Sequence, residues 1–228
     1  MRSLPELVND YRCFERIRSR ALITGEIDLS SLKWIEPTTL LPLVLFMREQ
    51  EELPYIPPSR PYVASYIHTV MTRPESAVGR YSSYIPVADL PSDQKNAKNI
   101  LKRIFDFNSN GVEYGGENAF KYLIGEMVTN IYEHSMFNNA LVMAQKYATK
   151  KYVDICFCDN GISIPGSFER AGMFFEDDFE AIGAAINGTS SKMNHERGWG
   201  MGSSARICLE GLGGSMLIAS RGGTIEFH

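Results

Sequence analysis

Three short stretches of this chain carry residue types at spacings that could do chemistry. In FKYLIGEMVTNIYEHS, Glu126, Asn130 and His134 step by four and so share one face of a helix. A carboxylate there can take a proton from an attacking water or hydroxyl. A carboxamide oxygen one turn further on is a neutral, hard ligand suited to completing a Mg²⁺ shell. The plain alternative is a solvated polar face. In KYVDICFCDNGISIPG, alternation puts Val153, Ile155 and Phe157 on one side of a strand, and Asp159 has the same parity. An aspartate at that strand end can accept a hydrogen bond from the exocyclic amine of a base resting on an apolar floor. Asn160-Gly161 then turns the chain, and Gly161 would let a flat ring approach the backbone. An ordinary Asp-Asn-Gly turn has the same spelling. The third stretch, GTSSKMNHERGWGMGSS, supplies Gly188, Gly198, Gly200 and Gly202 ahead of a helix expected from Ser203. Glycines before a helix N-terminus expose backbone N–H groups where the helix dipole favours an anion, a phosphate cradle. The run is neither the Walker pattern nor GxGxxG, and a flexible loop without a ligand is its alternative.

Taken in order and spacing, the three stretches resemble the GHKL (histidine-kinase-like) ATPase superfamily over about Asp93 to the C-terminus. Glu126 to Ser135 is similar to its N box, Asp159 to Pro165 to its G1 box, and Gly198-Trp-Gly200-Met-Gly202 to its G2 box. The resemblance implies ATP and Mg²⁺ as cofactors, with Glu126 as general base and Asn130 as the Mg²⁺ ligand. It implies Asp159 on the adenine amino group and Gly161 lining the base pocket. Gly198, Gly200 and Gly202 would close over the phosphates. Thr189-Ser-Ser-Lys192 matches a lid element, which would bring Lys192 to the γ-phosphate, and Gly223-Thr224 matches the late Gly-Thr that supports the adenine site.

These residues need elements to hold them. Apolar positions Phe120, Ile124, Met127, Val128 and Ile131 form one stripe of a helix over Glu117–Ser135. Ala140–Tyr147 and Tyr152–Cys158 read as strands joined by ATKK. Helices are expected over Asp93–Phe107 (capped by Ser92 or Asp93), Asp177–Ile186 and Ser203–Glu210, and a hairpin over Ser215–Ser220 and Thr224–Phe227. Residues 82–93, SSYIPVADLPSD, read as a connector, so the chain divides into 1–90 and 91–228. In the first part Ala21–Ile27 reads as a strand, and Pro37–Glu51 and Tyr62–Thr72 as helices. The run from Ala21 through Gly25 and Asp28 to Trp34, Glu36, Pro37, Thr38, Thr39 and Leu40 resembles the STAS-type, anti-sigma-antagonist fold. That resemblance would give Thr38 the phospho-acceptor place, with a plain helix-start residue as the alternative. The fold class expected is α/β: a two-layer sandwich of the Bergerat ATP-binding type, a mixed sheet with helices on one face, plus a small STAS-like domain.

Bulk composition narrows the partners. The 228 residues carry 23 basic against 27 acidic side chains, a net charge of −4, and no basic tract, so no nucleic acid is expected. No apolar run approaches the roughly 18 residues of a membrane helix. The first residues lack a signal-peptide core. Cys13, Cys156, Cys158 and Cys208 form neither a disulfide framework nor a CxxC pair, which fits reduced thiols in a cytoplasmic protein. His68 and His195 are isolated, and residues before Asp93 do not spell the helical hairpin of a sensor kinase. The resemblance implies an ATPase or serine/threonine kinase acting on a regulatory protein partner, closest in flavour to anti-sigma-factor kinases. The alternative is a non-catalytic, nucleotide-gated interaction switch. Many members of the superfamily form homodimers.

Overall fold

The computed structural model describes residues 6–50, 53–72, 83–109, 112, 116–191 and 200–228. The protein is mixed α/β and falls into two compact units, Met1–Leu90 with Leu141–Cys158, and Pro91–Ala140 with Asp159–His228. One division lies at Leu90/Pro91. The hairpin 141–158 groups with the N-terminal segment, because its strands extend a sheet begun there.

The first unit opens with α1 (Glu6–Thr24), then β1 (Ile27–Asp28), α2 (Pro37–Glu49), β2 (Tyr55–Ile56), α3 (Pro61–Thr72) and β3 (Tyr84–Asp89). The strand expected at Ala21–Ile27 is instead the end of a helix. Phe14 and Ala21 are buried in the core with Ile17 packed against it, one stripe of α1, while Leu22 and Ile23 are 58% and 85% exposed. Gly25, at φ +75°, ends the helix and returns its N–H to the Ala21 carbonyl at 2.9 Å. The chain then enters β1, only two residues long, which lies parallel to β2.

The expected connector at 82–93 contains a strand. β3 pairs antiparallel with β4 (Ala140–Tyr147), and its register shifts between Ile85 and Ala88, where Pro86 stands. A proline, having no N–H, is accommodated at such an irregularity. The sheet order is β3-β4-β5, with β5 spanning Tyr152–Asp159. β4 is central, which explains its unbroken apolar spelling: residues 140–145 are all buried. Leu40, Leu41, Leu43, Val63, Val70, Leu141 and Met143 form the heart of this core. Tyr147 donates to Glu36, and Tyr66 donates to Gln145 at 3.1 Å while stacking on Trp34. Burial, with Glu36 next, drives both phenols well above the ordinary tyrosine range. Thr38, in the first turn of α2, is half-buried, and its neighbour Thr39 donates to the Asp10 carbonyl.

The second unit begins with α4 (Lys98–Phe107), preceded by a 3₁₀ turn capped by Asp93, whose carboxylate accepts from the Lys95 N–H. The long helix is α5 (Glu117–Asn130). It does not run on as an α-helix to Ser135, because Ile131–Ser135 widens into a π turn that ends at left-handed Met136. Phe120, Ile124, Val128 and Ile131 are buried as the stripe requires. After β5 come α6 (Ser163–Arg170), a short helix that the sequence pattern does not announce, and α7 (Asp178–Ile186). α8 (Gly200–Arg206) starts three residues before the expected Ser203 and also ends in a π turn, Ile207–Gly211. β6 (Met216–Ser220) and β7 (Gly223–Phe227) pair as an antiparallel hairpin, a sheet separate from β3-β4-β5. No helix among the described residues is long and apolar enough to cross a membrane.

Gly25 tests the boundary of α1. An added Cβ there meets nothing within 4 Å, so Gly25→Ala isolates the left-handed backbone cost. Denaturant unfolding should show a loss of about 1–2 kcal/mol; an unchanged midpoint would contradict a helix ending at this glycine.

Candidate functional site

Every described candidate site residue belongs to the second unit. α5 packs against α8, and that contact carries the first half of the site. A Cβ added to Gly200 would stand 2.5 Å from Glu126 Oε2 and 3.8 Å from Asn130 Oδ1. The N-terminal end of α8 therefore lies directly over the carboxylate–carboxamide pair, and a side chain at 200 would have to displace the end of Glu126. Gly202 is constrained more tightly, since a Cβ there would overlap the Ile186 carbonyl oxygen at the end of α7, which is backbone. Buried Ser204 ties the first turn of α8, donating to the Gly200 carbonyl at 2.6 Å. Asn130 Nδ2 is sealed from solvent and has no hydrogen-bond partner among the described residues. An amide left so costs free energy. It is the kind of donor that a bound oxygen ligand would satisfy.

The second half is the joint between the π turn and the end of β5. The Asp159 carboxylate accepts from the Gly161 N–H at 2.9 Å, and the Ile162 N–H donates to the Ser135 carbonyl at 2.7 Å. A Cβ on Gly161 would overlap that carbonyl oxygen and lie 2.7 Å from Ser135 Cβ. The close approach that Gly161 permits is thus one by the chain's own backbone at Ser135. Asn160 closes the turn, its Oδ1 accepting from the N–H groups of Asn138 at 3.1 Å and Asn139 at 2.8 Å. Burial raises the Asp159 carboxyl above the usual carboxylate range; the Gly161 N–H and the Ser135 hydroxyl pull against that.

The remaining motif residues have mixed placements. Gly188, at φ +91°, is the cap of α7. Its N–H goes to Ala185 O at 3.2 Å and that of Thr189 to Ala184 O at 3.0 Å, a Schellman arrangement. This glycine serves helix termination, and the exposed Thr189 comes next. Ser191 shares a hydroxyl–hydroxyl hydrogen bond of 2.8 Å with Ser167 of α6. Lys192, His195, Gly198 and Trp199 lie outside the described residues. Thr224 stands in β7 opposite Ala219, and no described hydrogen bond joins it to Asp159. His134 sits in the π turn, where the step of four from Asn130 no longer holds. Among the described residues no three His, Cys, Asp or Glu side chains gather as a metal cage. Sequence reasoning missed Ser135, whose place beside Asp159 depends on the π turn, a feature with no periodic signature.

A comparison of the chain with protein-family models, with curated proteins and with solved structures finds no match in any of the three.

The Gly161 joint has a direct test. Gly161→Ala forces a methyl into backbone that cannot yield as a side-chain tip would, so the variant should lose about 1–3 kcal/mol of stability or more. Denaturation as late as that of wild type would refute the joint.

Proposed function

We propose that the second unit binds Mg-ATP and turns it over as an ATPase or a serine/threonine protein kinase. The observation that carries the reading is the convergence of Glu126 and Asn130 on Gly200, with an Asn130 amide that has no partner among the described residues. The residues fit such a ligand: a hard amide oxygen for the metal, a carboxylate beside it at Glu126, and an aspartate at the opposite joint. The reading brings with it the two-layer Bergerat-type sandwich for residues 91–228 and a STAS-like character for residues 1–90.

Each of the chain's own groups then has a role. Bound Mg-ATP would supply the transferable γ-phosphoryl group together with the metal that offsets its charge. Glu126 accepts the proton of the attacking hydroxyl or water. Asn130 offers its carboxamide oxygen to the metal and its amide hydrogens to a phosphate oxygen. Asp159 accepts from the exocyclic amine of the base. Gly200 and Gly202 keep α8 close over the pair, and the lid residues Thr189, Lys192 and Gly198, with Thr224 behind the base, complete the site as the resemblance implies. The acceptor class is a hydroxyl of a regulatory protein partner, or water.

Two variants test the reading. Glu126→Ala should keep Mg-ATP affinity and lower phosphate release or transfer by about 10²–10⁴-fold. Turnover at the wild-type rate would sink the assigned base. Binding without turnover in the wild type would instead point to a nucleotide-gated switch. Asp159→Asn should bind ATP roughly ten- to a hundredfold more weakly, the worth of a charge-assisted hydrogen bond.

The same variant has a signed pH dependence. Because the folded-state pKa of Asp159 is raised, its stabilising contribution is present below the ordinary carboxylate range and lost as pH rises through the folded value. At neutral pH the wild type bears a buried charge that the asparagine variant lacks. Asp159→Asn without nucleotide should therefore melt no earlier than wild type at pH ~7, with any advantage shrinking toward pH ~4. Calorimetry showing the advantage growing on acidification would reverse the sign and reject the argument.

A further inference from the structure

The two most exposed large apolar side chains among the described residues are Ile23 at 85% and Phe174 at 78%. A single exposed apolar residue is ordinary. Each of these, however, has a second beside it at 58%, Leu22 for Ile23 and Phe179 for Phe174. The two surfaces that carry these pairs are opposite in charge.

Ile23 ends a stripe of α1. At 3.6 residues per turn, Arg12, Arg16, Ser19 and Ile23 share one line, opposite the buried Phe14 and Ala21. Arg18 pairs with Glu15 at 3.5 Å and Arg20 with Asp28 at 3.7 Å. Arg12 and Arg16 are exposed and form no ion pair among the described residues. An open depression of about 730 Å³ runs along this stripe, lined among the described residues by Asn9, Arg12, Glu15, Arg16 and Ser19.

Phe174 and Phe179 stand where α6 passes into α7, on a turn that is fixed from several sides. The Met173 N–H donates to the Phe168 carbonyl at 2.9 Å, and Phe175 turns inward onto Phe168, with ring centroids 5.1 Å apart. The Asp177 carboxylate accepts from the Glu180 N–H and the Glu180 carboxylate from the Glu176 N–H, both at 2.7 Å. Glu176, Asp177 and Glu180 are exposed, and no basic side chain pairs with them among the described residues. Arg221 is already taken by Glu169 and Asp178. Two aromatic anchors on an ordered acidic turn thus lack a cover, and so do two aliphatics at the end of an ordered basic stripe.

We propose that these two surfaces bind each other between copies of the chain. The α6–α7 turn of one copy docks on the α1 stripe of a second. Phe174 and Phe179 cover Leu22 and Ile23, while Glu176 and Asp177 face Arg12 and Arg16. Burying the aromatics supplies affinity, and the opposed charges fix the register and speed encounter. The two surfaces are unlike, so the contact is heterologous. The inference does not depend on the Mg-ATP reading.

The test is sedimentation of the full chain over a concentration series, at low salt and without nucleotide. The wild-type mass should rise above the 25.6 kDa of one chain as concentration increases. Phe174→Ser and, separately, Arg16→Glu should each weaken association at least about tenfold. Glu176→Lys and Ile23→Ser, on the same two surfaces, should act in the same direction. The deciding sample is an equal mixture of Phe174→Ser and Arg16→Glu. The first variant keeps an intact α1 stripe and the second an intact α6–α7 turn, so the mixture should regain association and stop at two chains. Recovery on mixing also shows that both variants are folded. A wild type that stays at one chain throughout would overturn the proposal. So would variants that associate like wild type, or a mixture no heavier than its separate components, since a contact of like surfaces cannot be complemented in this way.

Discussion

The hydrogen bond from the Ile162 N–H to the Ser135 carbonyl, with Gly161 pressed against the same carbonyl, is the constraint on which the rest of the second unit's site depends. It joins the end of a strand to the end of a helix over a distance that any side chain at 161 would violate. Once made, it fixes Asp159 through the Gly161 N–H and buries the Ser135 hydroxyl. Asn160 adds two more bonds to the backbone at 138 and 139. A single glycine thereby sets the position of a carboxylate, a hydroxyl and a turn.

The π turn makes that joint reachable. A regular α-helix through Ser135 would keep His134 one turn above Asn130, on the face of Glu126. Widening the last turn rotates the helix end, so Ser135 faces inward while Glu126 and Asn130 keep the α-helical spacing that aims both at Gly200. π turns bond residue i to i+5, are rare, and occur frequently at functional sites. Two occur in this unit among the described residues, one ending α5 and one ending α8, the two helices that meet at the carboxylate–carboxamide pair.

What the sequence made legible was whatever repeats with a period. The α5 stripe, the unbroken apolar β4, the Asp177 cap of α7 and the closing hairpin all carry local signals that match their environment. The end of α1 spells like a strand because ALITGEI is apolar and short, and its helical stripe becomes visible only with Phe14 and Ile17 in register on the same core. β3 is hidden by Pro86, a residue that argues against a strand until a bulge receives it. Of the site, Glu126, Asn130, Asp159, Gly161 and Gly200 could be picked from residue type and spacing. Ser135 could not, because its role arises from a backbone contact. Gly188 spells like a phosphate-loop glycine and is a helix cap, and only its left-handed φ with two capping bonds tells the difference.

The Asp159 side and the Glu126–Asn130 side of the candidate site are held by unlike contacts. On the Asp159 side, α6 begins directly after the turn. Its Ile164 N–H donates to Ser220 Oγ at 2.9 Å. The hairpin bearing Ser220 is pinned by Arg221, which bonds Asp178 at 2.7 Å and Glu169 at 2.8 Å, and by the Gly222 N–H on Asp178 at 2.8 Å. Such exposed ion pairs add little stability singly. Their geometry matters more, because Gly223 packs so closely on Asp178 and Ile182 that a shift of register would collide. On the other side, the described attachments are the α8 contacts at Gly200 and Gly202 and the Ser167–Ser191 hydroxyl pair. An Asp159 turn pinned through the closing hairpin beside an α8 end seated by glycine contacts is an arrangement in which the two sides of the candidate site can be governed separately.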